Sequence, residues 1–201
     1  MTKFCARGFH ESVREVGMLS DSEIHDVVVS IPENAEVLAV LDTLSLPDCY
    51  LTAGCLFQPI WNRQTGKPDL WGVKDFDVFY FDNDTSWEAE NEVIECARIP
   101  LGSLAKRVEI RNQARVHLWY EQRFGSSISP LMRSTDGIDR FLISCTCVGI
   151  EVSSRKLYAP HGVEELYEVV LTMNPINPKP NLFRKKALDY QSRWPWLVIA
   201  D

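Results

Sequence analysis

Two acids two residues apart, Asp75 and Asp77, lie within Lys74-Asp75-Phe76-Asp77-Val78-Phe79-Tyr80-Phe81-Asp82, a run otherwise rich in strand-forming residues. In a strand, residues i and i+2 share a face, with Cα atoms roughly 6.5–7 Å apart. The two carboxylates therefore stand side by side, while Phe76, Val78 and Tyr80 turn to the opposite face. Like charges held this close repel, and the neighbouring sheet removes part of their hydration. A divalent cation offsets both costs. The alternative is a plain polar face on an edge strand.

Phosphate chemistry needs a second element opposite the acids. Residues 49–53 read as a short buried strand running into Gly54, followed by a helix over residues 55–62 with Pro59 in its first turn. Glycine at a strand-to-helix turn lets the backbone approach a ligand, and the helix N-terminus offers N–H groups to phosphate. Residues 107–120 begin as another strand, which carries Glu109 on the same face as Arg111. Glu109 completes an acidic set with Asp75 and Asp77, or else it pairs with Arg111. Carboxylates that hold magnesium against phosphate oxygens are the machinery of nucleotidyl transfer, where paired metals about 3.5–4 Å apart stabilise the entering and leaving oxygens. One of the same carboxylates then takes the proton of the attacking hydroxyl. Asp82 ends its strand ahead of Asn83-Asp84 and reads as a turn acid.

The remaining elements frame these residues. Residues 8–30 read as a helical extension, and Pro32 opens a helix whose apolar stripe is Val37, Leu38, Val40, Leu41 and Leu44. Ser86 caps a further helix with acids in its first turn. A helix near 134–147, a strand pair around 148–160 and a basic C-terminal helix closing on Trp194-Pro195-Trp196 follow. This order predicts an α/β (mixed α+β) fold: a small mixed sheet with helices packed on it. It predicts residues 1–32 as an N-terminal extension packing on a domain formed by residues 33–201. Trp61, Trp119, Trp194 and Trp196 read mainly as packing residues, and the cluster Arg184-Lys185-Lys186 reads as a solvated face or a contact with triphosphate or acceptor.

Composition sets limits on function. A chain of 201 residues with 45% hydrophobic and 24% charged residues can bury a substantial single core. A net charge of −7 argues against gripping long nucleic acid, though not against a small anionic ligand carried with a cation. No apolar run has membrane-spanning length, and the first residues lack a signal-type apolar stretch. The six cysteines form no Cys-x-x-Cys pair. A cytoplasmic protein without a disulfide framework or structural zinc is expected.

Several blocks carry a resemblance: Ala53-Gly54, Trp61-Asn62, the Asp75–Asp82 run, and Asn112-Gln113-Ala114-Arg115-Val116-His117-Leu118-Trp119. Ala159-Pro160-His161-Gly162-Val163-Glu164-Glu165-Leu166 and Asn174-Pro175 extend it over roughly residues 33–200. The chain resembles a bacterial nucleotidyltransferase-like family, once classed as a domain of unknown function, within the DNA polymerase β nucleotidyltransferase superfamily. The resemblance implies the fold of that superfamily, Mg2+ or Mn2+ as cofactor, and Asp75, Asp77 and Glu109 as metal ligands and catalytic acids. It implies Gly54 and Cys55 as the phosphate-facing turn, with Cys55 departing from the usual serine or glycine. Asn112, Gln113, Arg115 and His117 either contact base, ribose or phosphate or form a hydrogen-bonded structural corner; a general-base role for His117 is the less favoured option. The implied partners are an NTP and an unidentified acceptor: a small molecule, a protein or an RNA end. The competing expectations are a nucleotide-binding sensor or interaction module that has lost the chemistry, and a structural domain that binds nothing.

Overall fold

A computed structural model describes residues 20–200. In chain order the elements are α1 (Asp21–Val29), α2 (Pro32–Leu44), β1 (Tyr50–Thr52), α3 (Gly54–Gln64), β2 (Phe76–Tyr80), α4 (Trp87–Leu101), β3 (Val108–Asn112) and α5 (Val116–Phe124). They continue as α6 (Ser134–Ile138), β4 (Gly149–Glu151), β5 (Leu157–Tyr158), α7 (Glu165–Glu168), β6 (Val170–Leu171), α8 (Pro180–Arg193) and β7 (Val198–Ile199). The main sheet has the order β3-β2-β1-β4-β5. Its β2–β3 pair is parallel and its other pairs are antiparallel, so the sheet is mixed. A separate parallel pair, β6–β7, ties the C-terminus back to the chain and is not legible in the sequence.

The sheet has two unlike faces. Phe76, Val78 and Tyr80 are buried and join Leu51, Ile110 and Ile150 in one core with Val37, Leu38 and Leu41 of α2 and Leu56, Phe57, Ile60 and Trp61 of α3. Ile24 and Val28 of α1 belong to that core, while residues 8–19 of the expected helical extension lie outside the described residues. The opposite face carries Asp77 and Phe79, with Ile138 and Phe141 packed on Phe79 and Tyr50 in a smaller cluster. Alternation along β2 thus places apolar residues in the core and leaves the acid on a partly covered surface.

Asn34 joins the first three helices. Its buried amide Nδ2 donates to the carbonyls of Val28 and Cys55 at 2.9 and 3.0 Å. Pro59 lies within α3 rather than in its first turn. A proline there cannot donate to the carbonyl four residues earlier, which is Cys55. Asn34 supplies the missing donor, so a helix that propensity alone would end at Pro59 runs on to Gln64.

Ser86 caps α4 through Ala89 N–H, as its sequence predicts. The long helix expected over 134–147 is replaced by the short α6 and a 3-10 turn at Ser144–Thr146. The physical reason lies downstream: Asn174 donates to the carbonyls of Asp139 and Phe141, and Asn177 to that of Arg140. Those side chains satisfy backbone acceptors that a helix would otherwise use. Ser134, tied through its N–H and hydroxyl to Asp48, fixes the start of the segment.

Candidate functional site

Asp77 sits in the middle of three strands, with Thr52 of β1 and Glu109 of β3 as its backbone partners. Directly paired residues share a face of a sheet, so register alone brings Glu109 beside Asp77. Asp75 lies just before the β2 ladder. Its segment is held by Phe76 N–H, which donates to Arg107 O at 2.8 Å, and by the Arg107 guanidinium, which donates to the carbonyls of Val73 and Lys74. Burial pushes the Asp77 carboxyl up to about 7, and the charges of Asp75 and Glu109 add to the rise; Lys186 and Arg111 oppose it. Glu109 and Arg111 approach to 3.7 Å, with side chains 53% and 43% exposed. An ion pair so open to water contributes little, and leaves Glu109 available to a better partner.

Among the described residues, no group of three or more His, Cys, Asp and Glu side chains forms a ready-made metal site. Magnesium is commonly held by one or two carboxylates and completed by substrate phosphates and water. A partly buried carboxylate with a raised pKa beside two further acids is a donor set that a divalent cation relieves. The residues present therefore fit the group: Asp75 and Asp77 would hold it, with Glu109 in reach by register.

The turn into α3 is unusual at Ala53, whose φ of 65° and ψ of −140° lie where residues with a Cβ are strained. Gly54 follows; a Cβ there would come within 2.6 Å of Gln58 Nε2. Cys55 is fully buried, and its Sγ donates to Thr52 O at 3.3 Å. Burial pushes this thiol well above its ordinary pKa. It is neutral and turned inward, so the position offers a ligand only its backbone.

Ala53 and Asp77 line one cavity of about 330 Å³. Aromatic residues form much of its wall, among them Phe57, Phe79, Trp119, Tyr120, Phe141 and Tyr190. Four cations and one acid also face it: Arg111, Arg140, Lys179 and Lys186, against Asp77. The combination is that of a ligand pocket with an apolar platform and a few convergent polar groups. Of the four tryptophans singled out in the sequence, Trp119 is the one that lines it. The motif reading quoted Ala53 without giving it a site role and did not include Arg140 and Lys179. The signal for α8 was present, since Leu182, Lys186 and Tyr190 recur at helical spacing on one face, with Lys179 just ahead of the helix.

The Asn112–His117 block divides. Gln113 is buried, lines the cavity and donates to Arg111 O. Asn112 is committed elsewhere: its Nδ2 donates to the carbonyls of Asp82 and Asp84, and its Oδ1 accepts from the N–H groups of Asp82 and Ala114. Its own N–H donates to Glu90 Oε1. Arg115 meets Glu90 at 3.3 Å and donates to Thr85 O. Asn112 and Arg115 thus form a structural corner, and neither they nor His117 lines the cavity. Asp82 accepts from Asp84 N–H as a turn acid.

Comparisons with known proteins bear on the family and the fold. A family model described as a nucleotidyltransferase matches residues 39–199, a span that takes in every residue of the site. The fold is similar to a CCA-adding enzyme head domain solved by NMR, with a TM-score of 0.70 and 24% identity over 90% of this chain and 95% of that one. A CCA-adding enzyme in complex with CTP is similar with a TM-score of 0.56 and 14% identity, over 91% of this chain and 44% of that one. This chain therefore spans less than half of the latter enzyme, and at these identities the likeness is one of fold. Comparison with curated proteins finds no match.

Proposed function

The chain belongs to the nucleotidyltransferase family, and from that premise we propose that it moves a nucleoside monophosphate from an NTP to a hydroxyl group with the help of Mg2+ or Mn2+. The observation that carries this reading is the convergence at one cavity: an acid flanked by two more, the strained turn into α3, an aromatic wall and four cations. The metal, when bound, would neutralise phosphate charge and lower the pKa of the attacking hydroxyl. Asp75 and Asp77 would hold it, with Glu109 completing the set. The backbone N–H groups at the start of α3 receive phosphate oxygens, and the aromatic wall takes the base. A bond forms between the acceptor oxygen and the α-phosphorus. The bond from that phosphorus to the bridging oxygen breaks, and pyrophosphate leaves with the electron pair. One of the three carboxylates takes the acceptor's proton.

The acceptor is a small molecule, a protein or an RNA end. One similar fold was captured with CTP, which makes CTP the first nucleotide to try. The test is thermal stability against the four NTPs, with and without Mn2+, in the wild type and in a variant carrying Asp75→Asn and Asp77→Asn. A ligand at a hundred times its Kd adds about 2.7 kcal/mol of stability. A shift that needs metal and disappears in the double variant supports the reading. Absence of any shift with any nucleotide sinks it. Metal-dependent binding with no product from any acceptor would leave a nucleotide-binding module, a reading that the inward-turned Cys55 thiol favours.

A further inference from the structure

Four cations face the cavity, and two are already engaged. Arg111 meets Glu109, and Lys179 donates to Tyr120 Oη at 2.7 Å. Among the described residues, the side chains of Lys186 and Arg140 make no hydrogen bond or ion pair. The ammonium of Lys186 lies 5.0 Å from the Tyr190 ring centroid, which steadies its stem against the cavity wall. Arg184, Lys185 and Lys186 are all exposed, as is Arg140, but Lys186 lines the cavity whereas Arg184 and Lys185 do not. One residue of the basic cluster is thus aimed inward, by helical spacing with Leu182 and Tyr190.

Lys186 and Arg140 face the same cavity as Asp77 and the turn into α3; the charge of Lys186 already acts on Asp77, and the four cations outnumber that one acid. In a chain of net charge −7, a local excess of positive charge in a concave site concentrates anionic ligands of small size. Resting on the nucleotidyltransferase reading, we propose that Lys186, with Arg140 from the α6 side, binds the β- and γ-phosphates of the donor and the pyrophosphate that leaves. The C-terminal helix α8 is then part of the active site, and the enzyme prefers triphosphates over monophosphates chiefly through Lys186. Lysine is apt here as a compact charge on a flexible stem that can follow the departing pyrophosphate.

The experiment measures Kd by calorimetry, with Mn2+ present, for pyrophosphate and for CTP, ATP, GTP and UTP, each against its monophosphate. The proteins are the wild type, Lys186→Gln, Lys186→Arg and, as a control on the solvent side of the same helix, Arg184→Gln. Loss of a charge-assisted contact should weaken pyrophosphate and the preferred NTP about ten- to a hundred-fold. The monophosphate should be unaffected, the arginine variant should recover most of the loss, and Arg184→Gln should match the wild type. Equal weakening of mono- and triphosphate, or undiminished NTP affinity in Lys186→Gln, overturns this inference while leaving the parent reading intact. A wild type that binds neither nucleotide nor pyrophosphate overturns both.

Discussion

Two polar regions lie a few residues apart in this molecule and behave in opposite ways. At the corner around Asn112, polar groups turn to one another: Asn112 makes five hydrogen bonds through its amide side chain and N–H, and Glu90 lies 3.3 Å from Arg115, whose Nε is left without a hydrogen bond. At the face of β2 and β3, Asp77 lies between the opposing fields of Asp75 and Glu109 on one hand and Lys186 and Arg111 on the other, and among the described residues the side chains of Lys186 and Arg140 make no hydrogen bond or ion pair. Polar groups that pair with one another fix a structure; a carboxylate raised by burial and by neighbouring acids, on the wall of a cavity, marks where a ligand belongs. A sequence motif that is rich in polar residues does not distinguish the two cases. The charges that surround each group do.

The sharpest test of that contrast is Asp77→Asn. Changing a residue that only orients a metal ligand typically costs about 10–100-fold, so loss of a direct ligand should reduce metal-dependent NTP affinity and turnover by more than about 100-fold. The melting temperature should not fall, because the substitution removes a charge that burial and two neighbouring acids disfavour. A variant that keeps wild-type affinity for the metal–nucleotide complex would break the comparison.

Asn112→Ala should do the reverse. It removes four side-chain hydrogen bonds from a fully buried corner and should cost about 2–4 kcal/mol. For a chain of this size each kcal/mol lowers Tm by about 2–4 °C. Nucleotide affinity per folded molecule should stay within about threefold, a tolerance set by ordinary changes of under 1 kcal/mol. Strong loss of binding in a protein of normal Tm would move Asn112 from scaffold to site.

A pH series sharpens the electrostatic half. The Asp77 carboxyl is raised in the fold from an ordinary 3.8 to about 7. Between those values the folded protein holds a proton that the unfolded chain has released, so the contribution of this group to stability declines as pH rises through that window. Asp77→Asn should therefore be increasingly more stable than the wild type from pH 4 to pH 7, with the difference levelling above. Mn2+ affinity of the wild type should climb over the same range, since metal and proton compete for one carboxylate. Flat behaviour in denaturant melts and metal titrations across that window would mean the acids do not share a field.

How much of this was legible in the chain depended on the range of the forces involved. Strand alternation placed Asp75 and Asp77 opposite Phe76, Val78 and Tyr80, and the same period set Glu109 beside Arg111, because those patterns are local. The helix through Pro59 was expected, but with the proline in its first turn; its interior place depends on Asn34, a donor 21 positions away from the carbonyl it serves. The helix expected over 134–147 failed for the same kind of reason, since Asn174 and Asn177 reach back more than 30 positions to take its carbonyls. The Asn112 block was placed near the acids correctly, but its direction was set by Glu90 on another helix. The basic cluster Arg184-Lys185-Lys186 was visible in the sequence, but which of its members lines the cavity depended on the packing of α8.

The smallest expected effect concerns Ala53, where strain and site coincide. Its backbone has φ 65° and ψ −140°, a region that glycine enters freely and that costs other residues about 1–3 kcal/mol. Ala53→Gly relieves that strain but adds about 0.5–1 kcal/mol of unfolded-chain entropy. The net gain should be about 1 kcal/mol, a rise in Tm of about 2–4 °C. Function should move the other way. An alanine held in this conformation keeps the turn into α3 in one shape at the cavity wall, whereas glycine lets it sample several, and ordering them again on binding weakens nucleotide affinity a few-fold. A variant that is both less stable and unchanged in affinity would show that the Ala53 methyl matters as packing, and that the strained turn is not tuned for a ligand.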